Sequence, residues 1–157
     1  MPPAPDTTPL ELATALPARY YAGEAAHARD LRAVFGRSWQ LVARADQVQA
    51  AGDHVVDTVG RLPVIVVRGA DGALRAFANV CRHRAGPLAL CNGKGARALH
   101  CKYHGWSYSL EGQLRSAPEM QDAKDFDVST IRLPSLRVAQ WQGLVFVCAD
   151  EATPAFE

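Results

Sequence analysis

Two short cysteine–histidine pairs constrain this chain more than any other feature of its sequence. One residue separates Cys81 from His83, two separate Cys101 from His104, and seventeen residues lie between the pairs. Thiolate and imidazole groups are both good metal ligands, so the two pairs can close around a metal centre if the chain presents them as neighbouring loops. The fold must therefore bring residues 81–83 and 101–104 together.

Two kinds of metal centre accept two cysteines and two histidines. A structural zinc ion takes this set in a tetrahedron, usually with like residues paired as C-x2-4-C and H-x3-5-H. A Rieske-type [2Fe–2S] cluster takes two cysteines on one iron and two histidines on the other. Each pair in this chain is mixed, which favours the cluster, because each loop then offers one ligand to each iron.

The bulk composition is that of an ordinary globular domain. The chain has 157 residues, a net charge of +1 and 48% hydrophobic residues, so it can bury a core and offers no global charge for nucleic acid or an acidic membrane. The longest apolar run has about six residues, far short of the ~20 that span a bilayer, and the N-terminus lacks the segments of a signal peptide. We therefore expect a cytoplasmic protein without disulfides.

Hydrophobic periodicity predicts one helix followed by short strands. Residues 24–36 carry apolar side chains at the spacing of one helical face, namely Ala28, Leu31, Val34 and Phe35, and Trp39 is expected to anchor this helix to the core. The strands are predicted at residues 40–43, 53–59, 63–68, 74–78, 106–109, 113–115, 133–139 and 144–148, with turn signals such as Asp71-Gly72 between them. The pattern predicts a mostly β fold, a small antiparallel sandwich or barrel-like domain with an N-terminal helix.

The ligand segments resemble a known family. Cys81-Arg82-His83-Arg84, followed by Cys101-Lys102-Tyr103-His104-Gly105-Trp106, resembles the Rieske motif of the alpha subunits of ring-hydroxylating and related Rieske non-haem iron oxygenases. The segments 18–21, 35–42, 77–81 and 142–147 are similar to the family's N-terminal part, so the likeness covers about residues 18–150. The resemblance implies a Rieske (ISP-type) domain with a cluster-binding subdomain of two loops.

The resemblance also implies how the cluster is held and how the chain is organised. Cys81 and Cys101 would bind one iron, and His83 and His104 the other, at the exposed edge where the electron leaves. The implied divisions are a disordered lead (1–17), an N-terminal arm with the helix (18–39), the Rieske domain (40–149, with its cluster-binding part at about 79–116) and a truncated linker toward an absent catalytic domain (150–157).

The implied function is electron transfer. The chain would accept electrons from a ferredoxin or flavin reductase and pass them to a mononuclear iron(II), which two histidines and a carboxylate hold in this family. The five histidines of this chain do not provide that second site, so the chain should not hydroxylate a substrate by itself. Full-length family members commonly form trimers in which the neighbouring subunit receives the electron. A freestanding Rieske-type ferredoxin and a structural zinc module are the alternatives.

Two positions beside the ligands predict a low reduction potential. Respiratory-type Rieske proteins carry a cysteine three residues after the first ligand histidine and a serine two residues after the last one. This chain has Gly86 and Trp106 at those positions. Because fewer donors then stabilise the reduced cluster, we expect the low end of the Rieske range, near about −150 mV rather than about +300 mV.

The other candidate residues have simpler expected roles. We expect Cys91 to be a free thiol, Cys148 to be a core residue, His100 to point away from Cys101, His27 and His54 to lie on the surface, Tyr103 to pack near the cluster, and Trp106 to cap it as an apolar lid. Five basic residues crowd the motif, Arg82, Arg84, Lys94, Arg97 and Lys102. They are either a solvated face or a docking patch for an acidic ferredoxin or reductase.

Overall fold

One helix and nine short strands make up the regular structure of the residues that the computed structural model describes, 9–120 and 122–156. Helix α1 spans Glu24–Ala33. The strands are β1 (Gln40–Arg44), β2 (His54–Val59), β3 (Leu62–Arg68), β4 (Leu74–Ala78), β5 (Leu99–His100), β6 (Ser107–Tyr108), β7 (Leu114–Ser116), β8 (Ser135–Trp141) and β9 (Leu144–Cys148). Residues 1–8 of the expected disordered lead lie outside the described residues. No helix within the described residues is long and apolar enough to cross a bilayer.

The strands form two antiparallel sheets. The larger sheet has the order β1-β9-β8-β4-β3-β2, and the smaller one has the order β5-β6-β7. Strands β1 and β2, at the two ends of the larger sheet, contact each other, so this sheet is nearly closed into a barrel. The prediction of a mostly β, barrel-like fold with one helix is confirmed.

Strand β3 separates two hydrophobic cores. Val64 and Val66 point into the first core with residues of β1, β2 and β9. Ile65 and Val67 point the other way, into a second core that contains Cys81 and Cys101. Because both faces of β3 are buried at its centre, the residues from Val64 to Val67 are all apolar rather than alternating with polar ones. The predicted ligand loops are therefore built on the outer face of the barrel wall.

Some predicted elements differ from the observed ones. Helix α1 ends at Ala33, before a 3-10 turn at Phe35–Arg37. Among the residues of α1 only Ala26 is buried, and the predicted apolar face extends into exposed Val34 and Phe35. The β8–β9 turn is shorter than predicted, because Gln142 and Gly143 both have positive φ (46° and 81°) and make a tight two-residue connection.

A buried carboxylate ties the chain between the two ligand loops to the barrel. Asp53 is 5% exposed and accepts hydrogen bonds from the Ala50 N–H (3.1 Å), the Lys94 ammonium (3.0 Å) and the Gly95 N–H (3.2 Å). These donors, the Ala50 N–H first and Lys94 next, lower the pKa of Asp53. At neighbouring Gly52 φ is +80° and a Cβ would lie 2.0 Å from the Ala96 carbonyl oxygen, so only glycine permits this close approach.

Replacing Asp53 by Asn should lower the melting temperature at neutral pH and reduce the acid sensitivity of the fold. Because the folded state lowers the pKa, the ionised carboxylate stabilises the fold fully above the ordinary aspartate pKa of about 3.9. That stabilisation is lost as the pH falls from there through the lowered pKa. Thermal unfolding at neutral and acid pH measures the difference. Asp57→Asn, at an exposed position on β2, is the control, and equal effects of the two substitutions would contradict the prediction.

Candidate metal centre

The two loops that carry the predicted ligands share one backbone hydrogen-bond pattern. In each loop the cysteine N–H donates to a carbonyl five residues later, and the cysteine carbonyl accepts from an N–H four residues later. The bonds are Cys81–Gly86 (2.8 Å) and Ala85–Cys81 (3.1 Å) in the first loop, and Cys101–Trp106 (2.9 Å) and Gly105–Cys101 (3.0 Å) in the second. Two similar turns therefore each present one cysteine and one histidine.

The structure pairs the two predicted histidine ligands and places the two predicted cysteine ligands in one core. The imidazole rings of His83 and His104 lie 4.7 Å apart between centroids. Cys81 and Cys101 are each 3% exposed and belong to one apolar cluster. A Cβ on Gly86 would lie 3.0 Å from the Cys101 sulfur, so the absence of a side chain lets the first loop pass directly against the second cysteine.

The side chains of this site fit a cluster with sulfur and nitrogen ligands. The Nδ1 atom of His83 is buried and has no hydrogen-bond partner among the described residues, although buried polar atoms normally have one. Burial, the neighbouring His104 and Arg84 lower the pKa of His83. A lowered pKa favours the neutral imidazole, which is the form that binds a metal. The unpartnered nitrogen and the two buried thiols are the donors that a Rieske centre uses.

A site for a single ion has different requirements. In the part of the chain that the structure describes, no three or more His, Cys, Asp or Glu side chains are grouped so that they could hold one ion. A binuclear cluster needs only two protein ligands per iron. Two cysteines in the core and two half-buried histidines supply that number of ligands.

Tyr108 was not among the residues predicted from the sequence, although it contacts the site directly. It is fully buried, accepts a hydrogen bond from the Arg82 N–H (3.0 Å), and its hydroxyl lies 3.3 Å from the Cys81 sulfur. Burial first, and then the contact with Cys81, raise the pKa of Tyr108, so the phenol keeps its proton. Since the oxygen already accepts from Arg82, the hydroxyl proton is free to donate to the Cys81 sulfur.

Asn79 is a second residue that the sequence did not single out. Its side chain is 7% exposed. Its carbonyl oxygen accepts from the N–H groups of Leu88 (2.9 Å) and Ala89 (3.2 Å), and its amide donates to the Ala89 carbonyl (2.8 Å). These three bonds join the two ends of the first ligand loop, so Asn79 helps to hold Cys81 and His83 in place.

The other cysteines and histidines lie mostly where they were expected. Cys148 is fully buried, and Cys91, His27 and His100 are exposed. His54 differs from the expectation, because it is half-buried and its Nδ1 lies 3.1 Å from the Gly52 carbonyl oxygen.

The two aromatic residues of the second loop contact different histidines of the pair. Tyr103 is 63% exposed, and its ring centroid lies 3.9 Å from that of His104. Trp106 is 3% exposed and stacks on His83 at 4.8 Å, with 7° between the planes. Trp106, which was expected to cap the cluster loop as an apolar lid, is buried and supports the His83 ring.

Residues 38–136 match the Rieske [2Fe-2S] domain family. The chain belongs to this family. The matched residues include both ligand loops and make up more than half of the chain. The prediction of a Rieske domain from the two mixed cysteine–histidine pairs is confirmed, and family membership favours the [2Fe–2S] cluster over a zinc ion.

Similar proteins include subunits of Rieske oxygenases. The chain is 33% identical to the carnitine monooxygenase oxygenase subunit of Escherichia coli (strain K12) over 90% of this chain and 38% of that protein. It is 37% identical to the chloroplastic choline monooxygenase of Arabidopsis thaliana over 92% of this chain and 34% of that protein. The structure resembles a quaternary ammonium Rieske monooxygenase in complex with L-carnitine, with a TM-score of 0.82 and 30% identity over 88% of this chain and 40% of that one. The chain thus spans well under half of the length of each of these relatives.

Replacing Tyr108 by Phe should lower the reduction potential of the cluster-loaded protein. The hydroxyl donor stabilises the more electron-rich reduced state. A net hydrogen bond of about 0.5–1.5 kcal/mol corresponds to about 20–65 mV for one electron, at ~59 mV per factor of ten. A redox titration measures the shift. Tyr103→Phe removes an exposed hydroxyl near the same loops and is the control. An unchanged or higher potential in Tyr108→Phe would show that the Tyr108 hydroxyl does not donate to Cys81.

Proposed function

We propose that this chain is the electron-transfer domain of a Rieske oxygenase alpha subunit. In this proposal it accepts electrons from a ferredoxin or flavin reductase and passes them to a mononuclear iron(II) in a catalytic domain outside this chain. The observation that carries the proposal is the difference in burial between the predicted ligands. The two cysteines are buried, whereas the two histidines are half-buried at the edge of the site.

Each residue of the site has a distinct proposed role. Cys81 and Cys101 would hold one iron within the apolar core, and His83 and His104 would hold the other at the surface. The bound cluster supplies a one-electron carrier. Trp106 fixes the plane of the His83 ring by stacking, and Asn79 closes the loop that carries the first two ligands. An electron partner would therefore meet the histidine edge first.

The proposed potential is at the low end of the Rieske range. Respiratory-type Rieske proteins carry a cysteine and a serine where this chain has Gly86 and Trp106, which provide no thiol or hydroxyl donor. Tyr108 provides one hydroxyl donor to the Cys81 sulfur. This donor raises the reduction potential relative to a site that lacks it. A potential above zero in a redox titration would contradict this part of the proposal.

The relatives favour a domain of a larger protein over a freestanding ferredoxin. The chain covers 38% and 34% of the carnitine and choline monooxygenase sequences named above, and the monooxygenase activities belong to those longer proteins.

By the same resemblance we propose a homotrimer in full-length context. We also place the protein in the reducing cytoplasm, where buried thiols and a cysteine-ligated cluster persist without disulfide formation.

Electron paramagnetic resonance of the reduced, iron-reconstituted chain tests the cluster. We expect a signal of the mixed nitrogen and sulfur type that is lost in His83→Ala, because that substitution removes one iron ligand. His100→Ala removes an exposed histidine near the second loop and should keep the signal. A well-folded, iron-loaded wild-type chain without the signal would refute the proposal, and a stoichiometric zinc content would support the zinc alternative.

The electron donor in this proposal is an acidic protein. Residues 72–110 contain six basic residues and no Asp or Glu, although the whole chain has a net charge of only +1. Two of the six take part in ion pairs, Arg75 with Asp71 and Lys94 with Asp53. Arg82, Arg84, Arg97 and Lys102 are exposed, and three of these four lie within or beside the ligand motifs. This distribution favours the docking patch over a merely solvated face, because the basic charge is concentrated where the electron would enter.

Lys102→Glu or Arg84→Glu should slow reduction by an acidic [2Fe–2S] ferredoxin, by roughly tenfold at low salt. The substitution reverses a charge beside the histidine edge, so the effect should shrink as salt screens it. Stopped-flow reduction at low and high ionic strength measures the rates. Arg61→Glu makes the same charge change in the exposed β2–β3 turn. If Arg61→Glu slows reduction equally, then net charge and not this patch controls the rate.

A further inference from the structure

A groove of about 370 Å³ lies where the flanks of the two ligand loops meet. One wall is the segment 87–93, which directly follows the first ligand loop. The other wall is formed by residues of the second ligand loop and its approach, and His54 completes the lining, whose second wall comprises residues 98–100, 102 and 103. Leu90 and Tyr103, one from each wall, are 76% and 63% exposed, so the groove is accessible to a partner.

The wall formed by residues 87–93 is held at both ends. Near its start, the Asn79 side chain makes hydrogen bonds to the backbone of Leu88 and Ala89. At its end, the backbones of Gly93 and His54 exchange two hydrogen bonds, of 2.9 Å and 3.0 Å. The groove is therefore built into the fold, and a partner does not have to order this wall in order to bind.

The lining of the groove is mostly apolar and carries a positive charge. Leu88 and Leu99 are buried and belong to the same core as Cys81 and Cys101. Lys102 contributes the charge, and none of the described residues that line the groove is Asp or Glu. Such a surface complements an apolar side chain that has carboxylates beside it.

Tyr103 connects the groove to the histidine edge of the site. Its side chain lines the groove, and its ring centroid lies 3.9 Å from that of His104. A group that binds against Tyr103 is therefore separated from a proposed iron ligand by one side chain. Exposed apolar residues that line a concave surface are typical of an interaction site, and this one adjoins the residues through which an electron would enter.

We propose that the groove receives an apolar side chain of the acidic electron donor, with carboxylates of the donor beside it. The inference rests on the proposed function, in which an acidic protein reduces the cluster, and it names the contact that holds the two proteins together. Opposite charges speed the encounter, whereas an apolar anchor buried in a pocket supplies much of the binding free energy of an interface. An anchor against Tyr103 holds the donor beside His104.

Stopped-flow reduction of the iron-loaded chain by a reduced acidic [2Fe–2S] ferredoxin tests the anchor. Leu90→Ser should raise the ferredoxin concentration that gives the half-maximal rate by about tenfold, because it removes apolar contact area from the groove. The increase should be the same at low and high ionic strength, since salt screens charges and not apolar contacts. Leu41→Ser makes the same change at a 55% exposed residue of β1, outside the groove, and should leave that concentration unchanged.

Alkylation of Cys91 provides a second measurement on the unmodified sequence. Cys91 is exposed and lines the groove, whereas the other three cysteines are buried. N-ethylmaleimide should therefore react at Cys91 first, and the adduct should occupy the groove and slow reduction by the ferredoxin. The Cys91→Ser variant, treated in the same way, should keep the rate that it has before treatment. Bound ferredoxin should in turn protect Cys91 from alkylation, which mass spectrometry measures.

Three results would overturn the groove proposal. The first is an equal half-maximal concentration in wild type and Leu90→Ser. The second is a Leu90→Ser chain that self-associates less but is reduced normally, which would identify a second copy as the occupant. The third is reduction by dithionite but not by the ferredoxin, which would exclude the acidic donor and leave the cluster in place. Absence of the resonance signal in the iron-loaded wild type would refute the proposed function itself, so the two failures are distinguishable.

Discussion

The backbone hydrogen bonds that close each ligand loop on its own cysteine are the interactions on which the rest of the site depends. Both loops bury a cysteine and turn the following histidine toward the surface with the same pair of bonds. A buried imidazole nitrogen without a hydrogen-bond partner costs free energy, so the loops need support from the fold. Asn79 gives that support to the first loop, and Tyr108 joins the first loop to strand β6.

The barrel wall makes this support rigid. Strand β3 is buried on both faces, so a displacement of the ligand loops would disturb Ile65 and Val67, and with them the alternate residues Val64 and Val66 that pack inside the barrel. Protein cores are packed densely and resist such shifts. The site is thus attached to a wall whose opposite face lines the core inside the barrel. This attachment limits the change in ligand positions when an electron arrives or leaves.

The sequence was sufficient for the family and most strands, because both depend on spacing within a few residues. The mixed pairs at 81–83 and 101–104 identified the family, and alternation with turn signals located β2, β3, β4 and β9 closely. Tyr108 and Asn79 were missed because their roles depend on partners that only the fold brings near. The helix face was misread for a related reason, since periodicity groups Val34 and Phe35 with the apolar residues of one face but does not show which surface covers them.

The low potential proposed for the cluster has a cause in packing as well as in composition. A side chain at position 86 would place its Cβ 3.0 Å from the Cys101 sulfur, closer than ordinary contact, so a cysteine there would require the Cys101 side chain to shift. Trp106 fills the volume beside His83 by stacking, and a serine in its place would leave a cavity in the core. In this chain both donor positions of the respiratory-type proteins are therefore disfavoured by the way the loops pack. Tyr108 on strand β6 instead provides a hydroxyl donor 3.3 Å from the Cys81 sulfur.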